Sequence, residues 1–276
     1  MHDSPRMTHY PHKTRASHLP DDMAGDAPLG ILAAVADELD GLLALMGPAR
    51  IERIGMRDYY IGRLGTRPCV AVLARIGKVA AAVTALTLIR EFGARTLLFT
   101  GLAGGVGPGV KVGDIVIGTH LVQHDMDASP LFPRHEVPLL GHKAFHADDQ
   151  WNDLLADCAH TYLVHDLSGD IEPSTRTDFS LMHPTVHRGL IASGDRFISS
   201  QHEAQALLDA LPGLLCVEME GAAVAQVCHE YGVPFAVIRT ISDRADASAD
   251  TDFIAFLQRV ASRYCAGIFS RLAARL

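Results

Sequence analysis

The chain has 276 residues, 48% of them hydrophobic, and a formal net charge of -8 with only scattered lysines and arginines. That length suits one large α/β domain or two small ones, and an acidic balance without a basic block excludes a nucleic-acid footprint. Five cysteines without a CxxC pair read as reduced thiols, and with no apolar run near the roughly 18 residues of a membrane span or signal segment, a soluble cytoplasmic protein is expected.

In chain order, residues 1–27 are rich in Pro, His, Asp and Ser and carry no apolar period, which predicts a mobile tail. The irregular spacing of His2, His9, His12 and His18 favours a solvated tail over a metal site. The run 29-LGILAAV-35 opens the folded part as a buried strand, with Glu38 about one turn beyond it. A second strand run, 69-CVAVLARI-76, leads into a helix over Gly77–Phe92, which has no internal breaker and stops at Gly93. The third, 96-TLLFTG-101, runs into the glycine-dense 101-GLAGGVGPGVKVGD-114. Glycines there let backbone approach a ligand, or simply make a tight turn, and the stretch fits neither a P-loop nor a dinucleotide fingerprint.

After 114-DIVIG-118 the region 119–187 is dense in His, Pro and Asp and is predicted as loops or an insertion. His120 and His124, four apart, read as loop or interface residues rather than metal ligands. The periodicity then gives strands at 189–193, 214–220 and 235–240, helices at 201–211 and 221–231, and one amphipathic terminal helix over 252–276. Strands buried on both faces alternating with helices predict an α/β fold: a single three-layer domain over 28–276, its mixed, mostly parallel central sheet flanked by helices. In such sheets ligands collect where the strands end.

Four acids lie at or just beyond strand ends. Glu218 and Glu220 flank Met219 in an apolar run, where an unpaired charge is costly. They either face a cavity together, or one caps the following helix while the other meets an arginine such as Arg239. Asp243 follows an apolar strand with Ser242 beside it, as an acid for a heterocycle or as an Asx-turn. Glu38, taken alone, is a surface residue at the positive end of a helix.

Taken together, AVADEL (34–39), IGKVAAA (76–82), TGLAGGV (100–106), KVGDIVI (111–117), QHDMDAS (123–129), SGDRFIS (193–199), CVEMEGAAVAQVC (216–228), VPFAVIRTISDRAD (233–246) and FIAFL (253–257) resemble, in order, the 5′-methylthioadenosine/S-adenosylhomocysteine nucleosidases of the nucleoside phosphorylase/hydrolase superfamily. The resemblance covers nearly everything from Leu29 onward. It implies hydrolysis of an adenosine-type N-glycosidic bond, with Glu38 activating water and Asp243, helped by Ser242, protonating adenine N7. It further implies that Glu220 bonds the ribose 2′-hydroxyl, with Glu218 in support, that Met219 packs on the sugar, that Phe197 stacks on adenine and Ile198 reads its edge, and that Ala103 and Gly104 lie beside sugar and base. No cofactor or metal is implied; the partners are a nucleoside, water and a second copy of the chain, whose residues near Pro130, Leu131 and Phe132 would close the 5′ side. Two departures stand out: Leu102 replaces the usual serine of TGSAGG, and 160–187 is long.

A phosphate-dependent phosphorylase is the rival chemistry. It needs arginines around a dianion, whereas 96-TLLFT-100 has none and the first loop supplies acids, leaving Arg75 and Lys78 as the candidate cations. A 5′-deoxyadenosine or futalosine-like substrate is a second rival to the same reading, and a non-catalytic nucleoside sensor is a third.

Overall fold

The computed structural model describes residues 27–276; all but the last residue of the predicted tail, with its histidines, lies outside the described residues. The chain runs β1 (Leu29–Ala33), α1 (Ala36–Met46), β2 (Arg50–Ile54), β3 (Arg57–Leu64), β4 (Arg67–Leu73), α2 (Lys78–Arg90), β5 (Thr96–Gly105), β6 (Ile115–Gln123) and β7 (Ala144–His146). It continues with α3 (Asp149–His165), α4 (Leu167–Asp170), α5 (Pro173–Asp178), β8 (Val186–Ser193), α6 (Gln201–Ala210), β9 (Leu214–Glu218), α7 (Gly221–Tyr231), β10 (Phe235–Asp243), α8 (Ala249–Phe256) and α9 (Ser262–Ala273). A π-helical turn, Leu257–Ala261, joins the last two, so the single terminal helix expected over 252–276 is interrupted.

β1 is apolar throughout because it is buried on both faces, between β4 and β5 and parallel to each. One apolar layer packs α2 and α7 against the sheet, and a second packs α1, α3 and α9 on the other side. The sheet is mixed, as expected, but part of it closes on itself. β10 pairs with β5 in parallel and with β6 antiparallel. β6 continues through β8 to β9, and β9 returns antiparallel to β5 at Gly104 and Gly105. Strands β5, β10, β6, β8 and β9 therefore close into a ring, with β1, β4, β3 and β2 extending from β5 as an open flap. The ten-residue β5 is long enough to serve both parts, and Gly104 and Gly105 at its end leave room for Asp243 and Ile241 of β10.

Further corrections share a cause. β2 and β3 form a hairpin whose central residues, Gly55 and Met56, both have positive φ. Their charged sequences hid the strands, and a bidentate Arg53–Asp58 pair joins them across the ladder. The region expected to be loops holds the rest of β6, the short β7 and the 17-residue α3. In α3, Leu155, Cys158, Ala159 and Tyr162 bury one stripe beneath an Asp- and His-rich exterior, and Asp148 caps the first turn by accepting from the Trp151 amide at 3.0 Å. Strand β5 carries on through Gly105, so the first glycines of 101–114 are sheet rather than turn. Among the described residues no helix is long and apolar enough to cross a membrane.

Gly65 (φ +59°) links β3 to β4 where an added Cβ would stand 2.1 Å from the Ala273 carbonyl oxygen. Gly232 (φ +64°) ends α7 with nothing within 4 Å. In urea denaturation Gly232→Ala is expected to cost about 1 kcal/mol, the left-handed penalty alone, and Gly65→Ala about 3 kcal/mol, since α9 must also shift. Equal losses would show that the docking of α9 on this turn is loose.

Candidate active site

A cavity opens where β1, β5, β9 and β10 end. It is lined by Leu102, Ala103, Gly104, Phe197, Ile198, Glu218, Met219, Glu220 and Asp243, and also by Ala34, Val35, Ile76, Arg196, Val217 and Phe253, which the sequence had not singled out as lining. Glu38 and Ser242 lie buried behind this wall rather than on it. Phe253 packs partly against the apolar layer of α1, α3 and α9, and its ring meets Phe197 edge-on, centroids 6.1 Å apart, at the mouth. Phe197 is 45% exposed there, an aromatic face left open.

Asp243 owes its direction to a bulge. Ile241 pairs with Ala103 and Asp243 with Gly104, leaving Ser242 as the extra residue that re-aims the next side chain. The Ser242 hydroxyl donates to Asp243 Oδ2 at 2.8 Å and the Ala245 amide to Oδ1 at 2.9 Å. Any Cβ at position 104 would stand 2.9 Å from that Oδ1, so glycine is required beside the acid. Burial raises the Asp243 carboxyl above its usual range, against the pull of those two donors.

Glu218 and Glu220 divide rather than share one task. Glu218 ends β9, and its Oε2 takes a 2.7 Å ion pair from fully buried Arg239. It also accepts from the amides of Glu220 and Gly221 and from the Ser193 hydroxyl. One residue thus makes both the cap and the arginine contact that the sequence had distributed over two. Glu220 turns out of the strand at the N-cap of α7, where its Oε1 accepts from the Gly77 amide at 2.7 Å. Burial, then the neighbouring Glu218 charge, pushes Glu220 up to about 7.

Glu38 is no surface residue. It is 2% exposed in the first turn of α1, with the Val35 amide 3.4 Å from Oε2. Burial pushes its carboxyl up to about 7 although the Arg239 charge opposes the rise. Arg239 itself lies over the Phe99 ring at 4.1 Å and donates to the Phe99 and Ile238 carbonyls, its path open only because residue 101 is glycine.

The cations named for a phosphate site are engaged elsewhere. Arg75 donates to the Met56 carbonyl at 2.6 Å, and Lys78 pairs with Asp125 at 2.6 Å. The His120 ring meets that of His146 at a tilt, centroids 4.1 Å apart, while the His124 ring packs under Gly194, so the two point to different neighbours. Among the described residues no group of three His, Cys, Asp or Glu side chains is placed to hold a metal ion.

The raised Glu38 carboxyl makes stability depend on pH in a stated direction. The folded state holds the proton more tightly than the unfolded one, so this contribution is complete below about 4.5 and lost as pH rises through about 7. Glu38→Gln, which does not titrate, is therefore expected to gain about 3 kcal/mol on the native protein between pH 4.5 and 8, at about 1.4 kcal/mol per tenfold in proton affinity. Parallel denaturation curves at both pH values check this; a pH-independent difference would show that Glu38 is solvated.

Comparison with known proteins gives a consistent result. A model of the phosphorylase superfamily matches residues 28–273. The 5′-methylthioadenosine/S-adenosylhomocysteine nucleosidase of Actinobacillus succinogenes is 33% identical over 246 residues, 89% of this chain and 98% of that one. Among solved structures, the nucleosidase of the same name from Neisseria meningitidis, in complex with methylthio-immucillin-A, superposes with a TM-score of 0.78 at 32% identity, covering 90% of this chain and 99% of its own. The futalosine hydrolase of Helicobacter pylori superposes with a TM-score of 0.77 at 30% identity, covering 90% and 98%. The chain belongs to the phosphorylase superfamily and, within it, to the 5′-methylthioadenosine/S-adenosylhomocysteine nucleosidases.

Proposed function

We propose that this chain, with residues 28–276 as its catalytic unit, hydrolyses the N-glycosidic bond of 5′-methylthioadenosine, S-adenosylhomocysteine or both, releasing adenine and a 5′-thio-substituted ribose. The observation that carries the proposal is the trio Glu38, Glu220 and Asp243. All three are buried at one end of the sheet with carboxyls raised by that burial, the condition under which acid and base chemistry runs near neutral pH.

Adenine leaving as an anion is a poor leaving group. Asp243 gives its proton to N7 as the bond to C1′ breaks, and the electron pair departs with a neutral base. Positive charge then builds on the ribose, where the Glu220 carboxylate bonds the 2′-hydroxyl and offsets it. Glu38 takes a proton from water as its oxygen bonds C1′. Met219 packs on the sugar, Phe197 stacks on the purine and Ile198 reads its edge, while Ala103 and Gly104 let both approach the backbone. Ser242 holds Asp243, and Glu218 holds the turn that presents Glu220.

Water rather than phosphate is the attacking species. Arg239 is committed to Glu218, Arg75 and Lys78 are engaged away from the cavity, and the anionic Glu38 would repel a dianion. The second subunit of a homodimer completes the 5′ side. Supporting this is an exposed apolar run on and beside α2, Ile76, Val79, Val83 and Leu86, that begins at the cavity mouth, and Leu131, 84% exposed in the segment assigned to cross. The five cysteines are free and buried, consistent with a reducing cytoplasm.

Incubated with 5′-methylthioadenosine, the enzyme should release adenine and free methylthioribose at equal rates with and without phosphate. A sugar 1-phosphate formed only with phosphate would make it a phosphorylase. Glu38→Gln and Asp243→Asn should each lower kcat by about 10²–10⁴-fold. Activity should fall as pH drops through about 7, where Glu38 takes up its proton. Sedimentation should give twice the chain mass; a monomer with full activity would end the dimer assignment.

A further inference from the structure

Residues that touch no part of the cavity tie the ribose-binding and purine-binding halves of the site to a single peptide. At the start of α2 the Gly77 amide donates to Glu220 Oε1 at 2.7 Å, and the next amide, Lys78, donates to Asp195 Oδ1 at 2.8 Å. Asp195 lies two residues before Phe197. Its own amide donates to Asp125 Oδ2 at 2.9 Å, and the other oxygen of Asp125 takes the Lys78 ammonium at 2.6 Å. These bonds close a ring: Lys78 amide, Asp195 carboxylate, Asp195 amide, Asp125 carboxylate and back to the Lys78 side chain. The ammonium also donates to buried Gln123 at 3.1 Å, which in turn bonds Gln226 of α7.

The ring joins the start of α2, the end of β6 and the loop after β8. Gly77, at φ +99°, lets the peptide lie against that carboxylate, since a Cβ there would stand 3.2 Å from Asp195 Oδ1. The two free amides at a helix start each hold one carboxylate, favoured by the positive end of the helix. A shift of the purine loop therefore moves Asp195, the Gly77–Lys78 peptide and the donor that fixes Glu220.

We infer that Lys78, Asp125 and Asp195 are positioning residues that set Glu220 and the Phe197 loop jointly, so that recognition of the ribose 2′-hydroxyl depends on a clasp outside the cavity. The inference rests on the assignment of Glu220 to that hydroxyl. It is tested by kcat/KM for 5′-methylthioadenosine and for its 2′-deoxy analogue, measured in wild type, Asp195→Ala, Lys78→Met and Asp195→Asn, with melting temperatures alongside.

Wild type should prefer the ribonucleoside about 100-fold, the size of a hydrogen bond to a carboxylate. In Asp195→Ala and Lys78→Met the preference should fall to about 10-fold or less at an unchanged melting temperature. Asp195→Asn, whose amide oxygen can still accept from the Lys78 amide, should keep it. A purely structural role would slow both substrates alike and leave the ratio at its wild-type value, which would overturn the coupling while leaving the Glu220 assignment intact. No preference in wild type would instead overturn the Glu220 assignment, and the coupling with it.

Discussion

The buried ion pair between Arg239 and Glu218 is the constraint around which the site is arranged. Removing one partner of such a pair typically costs about 3–5 kcal/mol, because the other charge is stranded in low dielectric. Here Glu218 spends all its acceptor capacity on structure: on β10 through Arg239, on β8 through Ser193, and on the start of α7 through the Glu220 and Gly221 amides. With Glu218 so occupied, the chain must turn at Met219. That turn delivers Glu220 to the cavity and the Gly77 amide. Arg239 also lends its positive charge to Glu38 on the far side, lowering a proton affinity that burial would otherwise raise further. A single guanidinium therefore links the acid that holds the fold to the acid assigned to water.

The second element is the closure of the sheet. Because β10 pairs with both β5 and β6, the ends of β5, β9 and β10 converge, and acids from separate strands meet without a loop long enough to fluctuate. The bulge at Ser242 then turns Asp243 inward, while Gly101 and Gly104 clear room for Arg239 and for the Asp243 carboxylate. Bulges at a sheet rim commonly serve to aim a side chain in this way. The apolar walls contributed by Val35, Leu102, Ile198 and Phe253 keep the acids poorly solvated, and this is the origin of their raised affinity for protons. Leu102 adds to that apolar wall.

Much of the fold was legible in sequence because burial leaves a strong signature. β1, β5 and β10 are buried along nearly their whole length and open with apolar runs, and α7 ends at a glycine in the left-handed conformation, as its pattern required. The elements that were missed lay where that signature is diluted. β2 is largely exposed, β3 is only half buried between charged residues, and α3 hides a regular apolar stripe under Asp and His. The ring of strands was invisible for another reason: pairing of β10 with two partners is a property of register between distant segments, and no local pattern encodes it.

The same division holds for the site. The sequence by itself determined which residue types stand at the strand ends, the acids Glu38, Glu218, Glu220 and Asp243 with their glycine and serine neighbours, since chemistry and chain order are local facts. Only the tertiary structure decided what each is free to do. Glu218 and Glu220, equivalent in a two-residue repeat, differ because Arg239, 21 residues from Glu218, reaches one and not the other. Glu38 looked like a surface residue and is buried. Proton affinity depends on solvent exclusion and nearby charge, and both are set by segments far apart in the chain that only folding brings together.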